Sequence, residues 1–304
     1  MIRRSALLLL LPVFAASCLT MDAFLFNGMP VDEYRWDDDN PCDPQLEGDF
    51  VYVAREQGKS AGCHPSLVPP ASRIEDFVDA DGVAIHYVYA HHGDAPTTTI
   101  LYSHGNHHHM GSYWDRVEQL WGWGYNVLIY DYPGYGRSEG ETSEAGIYAS
   151  AQAAAELLPT LPGVDPDRVF FYGYSLGGAP TFELALRAEQ GDLAVKPRAL
   201  ATEAAWCNLD IMIGEATYIG MDKEYLLSFD FDSCRKLAEL DPQLPLMILH
   251  GTEDTTVQIE NARALARAAP GEAELHIVEG GEHYDLPLFV PEDYESWMRG
   301  FFDR

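Results

Sequence analysis

The run Gly173-Tyr174-Ser175-Leu176-Gly177 constrains this chain more than any other, because of what stands on either side of it. Arg168 to Tyr172 is an apolar, aromatic and β-branched stretch of strand type, and Gly178 to Leu186 reads as a helix. A serine framed by glycines between strand and helix has the G-x-S-x-G pattern of a nucleophile elbow. The elbow forces the serine into strained backbone, and side chains at the flanking positions would collide with the helix that follows. The hydroxyl is thereby lifted above the edge of a sheet, where a substrate carbonyl can reach it.

Around this elbow the chain alternates strand and helix. Ile74 to Ala90 reads as a hairpin about an Asp81-Gly82 turn. Ile100 to Tyr102, Asn126 to Tyr130, Arg198 to Thr202, Leu246 to Leu249 and Leu275 to Val278 are short apolar strands. Tyr113 to Trp121, Ala145 to Leu158, Gln258 to Ala268 and Pro291 to Phe302 are helical, the last with its proline near the start. That rhythm predicts an α/β domain, a mostly parallel sheet with helices on both faces. It spans about residues 73–304, within a chain long enough for one large domain. Roughly residues 205–241 break the rhythm, and an insertion of that length suits a lid. Its apolar residues, among them Trp206, Ile211, Met212, Tyr218, Tyr225 and Phe229, either pack on the core or cover an acyl pocket.

With 19 basic and 48 acidic residues the net charge is −29, which repels nucleic acid and anionic lipid headgroups alike. The acidity otherwise reads as a solubilising surface. At the N-terminus, Arg3 and Arg4 precede an apolar stretch from Ala6 to Phe14 that is short for a bilayer span. The following Ala15-Ala16-Ser17-Cys18 resembles a bacterial lipobox, with Ala15 where leucine is usual. The expectation is a signal peptide over 1–17 and a lipid anchor on Cys18 of a periplasmic or cell-surface protein. Cleavage near Ala16 to a freely secreted form is the alternative. Of five cysteines, assigning Cys18 to lipid leaves four, with three possible pairings. Loop closure favours Cys42–Cys63 and Cys207–Cys234, each stapling one irregular segment. Residues 18–72, rich in Asp, Pro and Gly, show no period and read as a tether and disulfide-held extension.

A serine hydroxyl becomes a good nucleophile only when a base takes its proton, and imidazole suits that task near neutral pH. The base needs a buried carboxylate to fix its tautomer. Downstream of Ser175, two strands run out into His250-Gly251-Thr252-Glu253-Asp254 and Glu279-Gly280-Gly281-Glu282-His283. Asp254 and His283 thus stand past strand ends on the elbow's edge, where open α/β sheets bind ligands. Glu203, at another strand end, is a rival for the acid.

Gly173 to Gly178, Gly251 to Asp254 and Gly280 to His283 resemble the motifs of the α/β-hydrolase superfamily. Ser103-His104-Gly105-Asn106 and Asp131 to Ser138 resemble its serine aminopeptidase-like and acyl hydrolase-like branch. The resemblance covers residues 74–304. It implies an α/β-hydrolase fold and a triad of Ser175, Asp254 and His283, the acid lying three residues after Gly251. It implies an oxyanion hole from the N–H groups of Leu176 and of Gly105 or Asn106, with Asn106 preferred. The implied chemistry is hydrolysis of an ester, thioester or amide without a cofactor, on a small-molecule or peptide substrate. A short-peptide aminopeptidase and a non-catalytic tethered binding protein on the same scaffold are the alternatives. His104 is expected to bond loop backbone. His107-His108-His109 invites a metal reading, but three consecutive rings turn with difficulty to one ion, and lining the rim is the plainer expectation. Asp131 to Gly136 lacks a P-loop lysine and reads as a tight turn beside the site.

Overall fold

The computed structural model describes residues 26–34, 36, 65–208, 211 and 230–304. The hairpin forms as the Asp81-Gly82 turn predicts: Arg73–Ala80 (β2) pairs antiparallel with Val83–Ala90 (β3). Six further strands complete one sheet: Thr97–Ser103 (β4), Asn126–Tyr130 (β6), Val164–Tyr174 (β7), Ala199–Glu203 (β8), Leu246–Gly251 (β9) and Ala273–Val278 (β10). Their order is β10-β9-β8-β7-β4-β6-β3-β2, parallel except where β3 runs against both of its neighbours. A separate two-stranded parallel pair joins Asn27–Gly28 (β1) to His107–His108 (β5).

The central strands are buried on both faces, which is why β6 and β9 read as unbroken apolar runs rather than alternating ones. Trp114–Gly122 (α1) and Pro291–Phe302 (α7) pack on one face. Glu144–Leu157 (α2), Gly178–Gln190 (α3), Ser233–Ala238 (α4) and Glu260–Ala268 (α5) cover the other. The small residues of α2, with Ala151, Ala154 and Ala155 buried, let it lie close against the sheet. A short turn of helix, Leu286–Phe289 (α6), leads into α7.

After β6 the chain returns to the other side of β4, so the strand order reverses where β4 and β7 lie side by side. Loops from the carboxyl ends of two such strands diverge and leave a crevice between them. Both candidate loops, 104–109 and the elbow, open into that crevice.

The sulfurs of Cys207 and Cys234 are bonded, with their Cα atoms 4.9 Å apart, closing the base of the insertion. Cys42, Cys63 and Cys18 lie outside the described residues, as do 1–17 and most of the insertion, Met212, Tyr218, Tyr225 and Phe229 included. The described part of the insertion packs inward: Trp206 and Phe231 are buried, 5.8 Å apart, and Phe231 also meets Tyr148 and Phe26. Among the described residues no helix is long and apolar enough to cross a membrane.

Candidate active site

Ser175 sits at φ +52°, the left-handed region a side chain rarely adopts, at the sharp turn from β7 into α3. Two glycines make the turn possible by close approach. A Cβ on Gly173 would strike the Gly177 carbonyl, and one on Gly177 would run into the Ser103 carbonyl at the end of β4. The elbow is thus pressed onto the loop that follows β4.

His283 and Asp254, 29 residues apart in sequence, meet Ser175 on this edge. His283 Nε2 lies 3.0 Å from Ser175 Oγ, and its Nδ1 lies 2.7 Å from Asp254 Oδ2. All three are nearly buried. A carboxylate only accepts, so Nδ1–H donates to Asp254 and Nε2 presents its lone pair to the serine hydroxyl. Burial pushes the Asp254 carboxyl up, but contacts with His250 and His283 and the Val257 N–H outweigh it and hold it well below the usual range. Asp254 is therefore a carboxylate throughout the range in which an imidazole ordinarily changes charge. Its other oxygen, Oδ1, accepts from the N–H groups of Thr256 and Val257 at 2.9 and 2.7 Å.

Leu176 is the second residue of the helical turn Ser175–Gly177, where first-turn N–H groups have no intrahelical acceptor. The opposing loop is fixed tightly. Asn106 Oδ1 accepts from Tyr135 Oη at 2.7 Å and from the Asn27 N–H at 3.3 Å. A Cβ on Gly105 would stand 2.8 Å from the Tyr113 hydroxyl and 2.9 Å from the Tyr174 ring, so this peptide too packs against the elbow. His104 is buried, its Nδ1 2.7 Å from the Gly105 carbonyl, which is the backbone role expected of it.

The three consecutive histidines diverge. His107 Nε2 reaches Tyr284 Oη at 3.2 Å, His108 Nδ1 faces Ser112 Oγ at 3.4 Å, and His109 Nδ1 accepts from the Gly111 N–H at 3.0 Å. Among the described residues no group of three or more His, Cys, Asp or Glu is arranged to hold a metal ion. Glu203 is drawn elsewhere as well. Its Oε1 lies 2.6 Å from Arg116 Nη2, and its Oε2 accepts from Tyr172 and Tyr294 at 2.6 and 2.8 Å.

Other residues of the site carry no pattern in sequence. Tyr174 donates its hydroxyl to the His283 carbonyl at 3.0 Å, while the Arg116 guanidinium lies 4.2 Å over its ring. Residues 26–34, read as part of a tether, run alongside the loop after β4. Met29 N–H donates to the His108 carbonyl, and Tyr34 donates to Asp131 Oδ2. Asp131 begins the tight turn expected over 131–136. It is buried, and its Oδ1 accepts from the Met110 N–H at 2.7 Å.

Burial raises the Asp131 carboxyl, but His104, His86 and the charge of His109 more than reverse this and hold it well below its ordinary value. A depressed carboxyl contributes stability that is present above its unfolded value, about pH 4, and is lost as pH falls through the folded value. Its neighbour His86 runs the other way: raised by Asp131 and Glu75 against the pull of burial, it contributes stability below about pH 6.5 that is lost as pH rises through its folded value. The stability gap between wild type and Asp131→Asn is therefore expected to narrow as pH falls from 5 to 2. Urea midpoints across that range check it, and a constant gap would contradict the assignment.

A family model described as "Serine aminopeptidase, S33" matches residues 94–219. "Alpha/beta hydrolase domain-containing protein 17C" of Xenopus tropicalis is 33% identical over 255 residues, covering 81% of this chain and 68% of that protein. "Uncharacterized protein YfhR" of Escherichia coli K12 is 25% identical over 221 residues, covering 71% and 75%. Among solved structures, an esterase from Pyrococcus furiosus superposes with a TM-score of 0.61 at 17% identity, covering 76% of this chain and 89% of that one. At that identity the likeness is one of fold.

Proposed function

The chain belongs to the α/β-hydrolase superfamily, and from that premise we propose that it is a serine hydrolase cleaving a carboxylic ester, thioester or amide through an acyl-serine intermediate. The observation that carries this reading is the hydrogen-bonded chain from a backbone-strained serine through His283 to an ionised, buried Asp254.

Ser175 Oγ attacks the substrate carbonyl carbon as His283 Nε2 takes its proton. The negative charge that develops on the carbonyl oxygen is met by the Leu176 N–H and by an N–H of the Gly105-Asn106 stretch. Asp254 steadies the imidazolium through Nδ1–H. The proton then passes from Nε2 to the leaving oxygen, sulfur or nitrogen as its bond to the carbonyl carbon breaks. Water, deprotonated by the same nitrogen, attacks the acyl-serine, and the proton returns to Ser175 as the acid product leaves. Each step draws on side chains and backbone N–H groups of this protein and on water.

A fluorophosphonate probe is expected to label the wild type at a single site that maps to Ser175. A protein left unlabelled, although folded, would instead be a binding module on a hydrolase scaffold. The description of the matching family model favours a second substrate class, short peptides with a free N-terminus. A panel of acyl esters, acyl thioesters and aminoacyl amides separates the two.

Export and lipidation at Cys18 belong to the same proposal. The Cys207–Cys234 bridge supports them, since such bonds persist in oxidising compartments. Palmitate incorporation that is lost in Cys18→Ser is the expected result, and incorporation unaffected by that change would remove the anchor.

A further inference from the structure

Asp254 Oδ2 is approached by two histidines. Besides His283, the ring of His250, the penultimate residue of β9, places Nε2 3.3 Å from the same oxygen and 2.6 Å from the Val257 carbonyl. A carbonyl only accepts, so the close contact puts a hydrogen on His250 Nε2. His250 is fully buried and its Nδ1 meets no hydrogen-bond partner. A proton on Nδ1 would be a buried donor with nothing to receive it, so the ring is held as the Nε2–H tautomer. That one N–H is held by the loop carbonyl at 257, with the carboxylate oxygen at 254 close beside the same nitrogen.

We propose that His250 is a positioning residue for the acid–base pair: it shares Asp254 Oδ2 with His283 and so sets both the place of the carboxylate and its pull on the imidazole. The inference rests on the proposed roles of Ser175, His283 and Asp254.

Among the described residues, the following groups face the pair. Asp254 receives His283 from the loop after β10, His250 from β9, and the N–H groups of Thr256 and Val257 from its own loop. His283 is flanked by the rings of Tyr174 and Tyr284. Asp285, two residues on, is occupied by the Glu282 N–H. His250 is thus the second side-chain N–H group against the oxygen that holds His283. With that donor removed, the full charge of Oδ2 falls on the His283 Nδ1–H, and the imidazolium is stabilised. The base then protonates at higher pH, and the carboxylate is held less firmly.

The test compares pH profiles of kcat/KM for a p-nitrophenyl ester between wild type, His250→Leu and His250→Gln, with thermal melts alongside. In His250→Leu the acid limb is expected to move up by about half to one pH unit and kcat/KM at the plateau to fall roughly tenfold, the scale of one hydrogen bond to a charged group. His250→Gln offers an N–H at the same reach and is expected to return the limb towards its wild-type place. A merely structural histidine would lower the melting temperature in both variants and leave the limb unmoved, and that result overturns the inference. Should His250→Leu not fold, ¹⁵N NMR of the wild type decides: a proton on His250 Nε2 supports the inference, and a proton on Nδ1 alone overturns it. A wild type that neither reacts with fluorophosphonate nor turns over ester would sink the hydrolase reading, and this inference with it. An active wild type with unmoved variants sinks the inference alone.

Discussion

Ser175→Ala is expected to lower kcat on an activated aryl ester by a factor on the order of 10⁴ to 10⁶, with the fold intact. The change deletes one oxygen whose partner is His283 Nε2, so little packing is lost. Alanine keeps a Cβ and therefore keeps the strain of φ +52° at this position. Ser175→Gly separates the two effects. It too loses the nucleophile, but glycine adopts this backbone without penalty, and removing strain of about 1 kcal/mol should make it more stable than the alanine variant. A glycine variant that is inactive yet melts higher than Ser175→Ala would show that the elbow stores strain for the sake of the reaction. Retention of most wild-type turnover in either variant would remove Ser175 from the chemistry.

Why the elbow could be read in advance, while its supports could not, follows from the physics of each. Strand, turn and helix are local, so 168–186 carries its own pattern, and the glycines at 173 and 177 are demanded by atoms close in the fold. The strand-end motifs at 254 and 283 were legible for a related reason: parallel strands bring every carboxyl end to one edge. The supports depend on long-range contacts between residue types that usually do something plainer. Tyr174 stands in an apolar strand and looks like core, yet its hydroxyl reaches a carbonyl 109 residues on. Tyr34 stands in a stretch with no period, because residues 26–34 owe their course to the loop they lie against, with a two-residue parallel pairing to His107-His108. His250 stands four residues before Asp254 in the same strand-end motif, but nothing in a string of residues shows that two rings lie against one oxygen. Glu203 was a fair rival for the acid on position alone. What it pairs with only the folded arrangement reveals.

Glu203→Gln is expected to be the most destabilising single change at the site, costing about 3–5 kcal/mol. Glu203 and Arg116 are both buried, and the carboxylate also receives the hydroxyls of Tyr172 and Tyr294. An amide still offers one acceptor to the tyrosines but leaves the guanidinium without a counter-charge in a dry setting, and desolvation then has no offset. Replacing both partners, Arg116→Met with Glu203→Gln, should recover much of the loss, because the uncompensated charge is gone. Denaturant midpoints of the two singles and the double measure this directly. Activity resolves what position in the chain could not. If Glu203 were the acid of the reaction, Glu203→Gln would cut turnover far beyond the loss of folded protein, and the double variant would regain stability yet stay dead. With Asp254 in that role, turnover follows folding instead. The guanidinium of Arg116 lies against Tyr174, and Tyr174 holds the His283 carbonyl, so an unpaired cation there loosens the base as well as the core. Its removal in the double variant should restore activity and stability together.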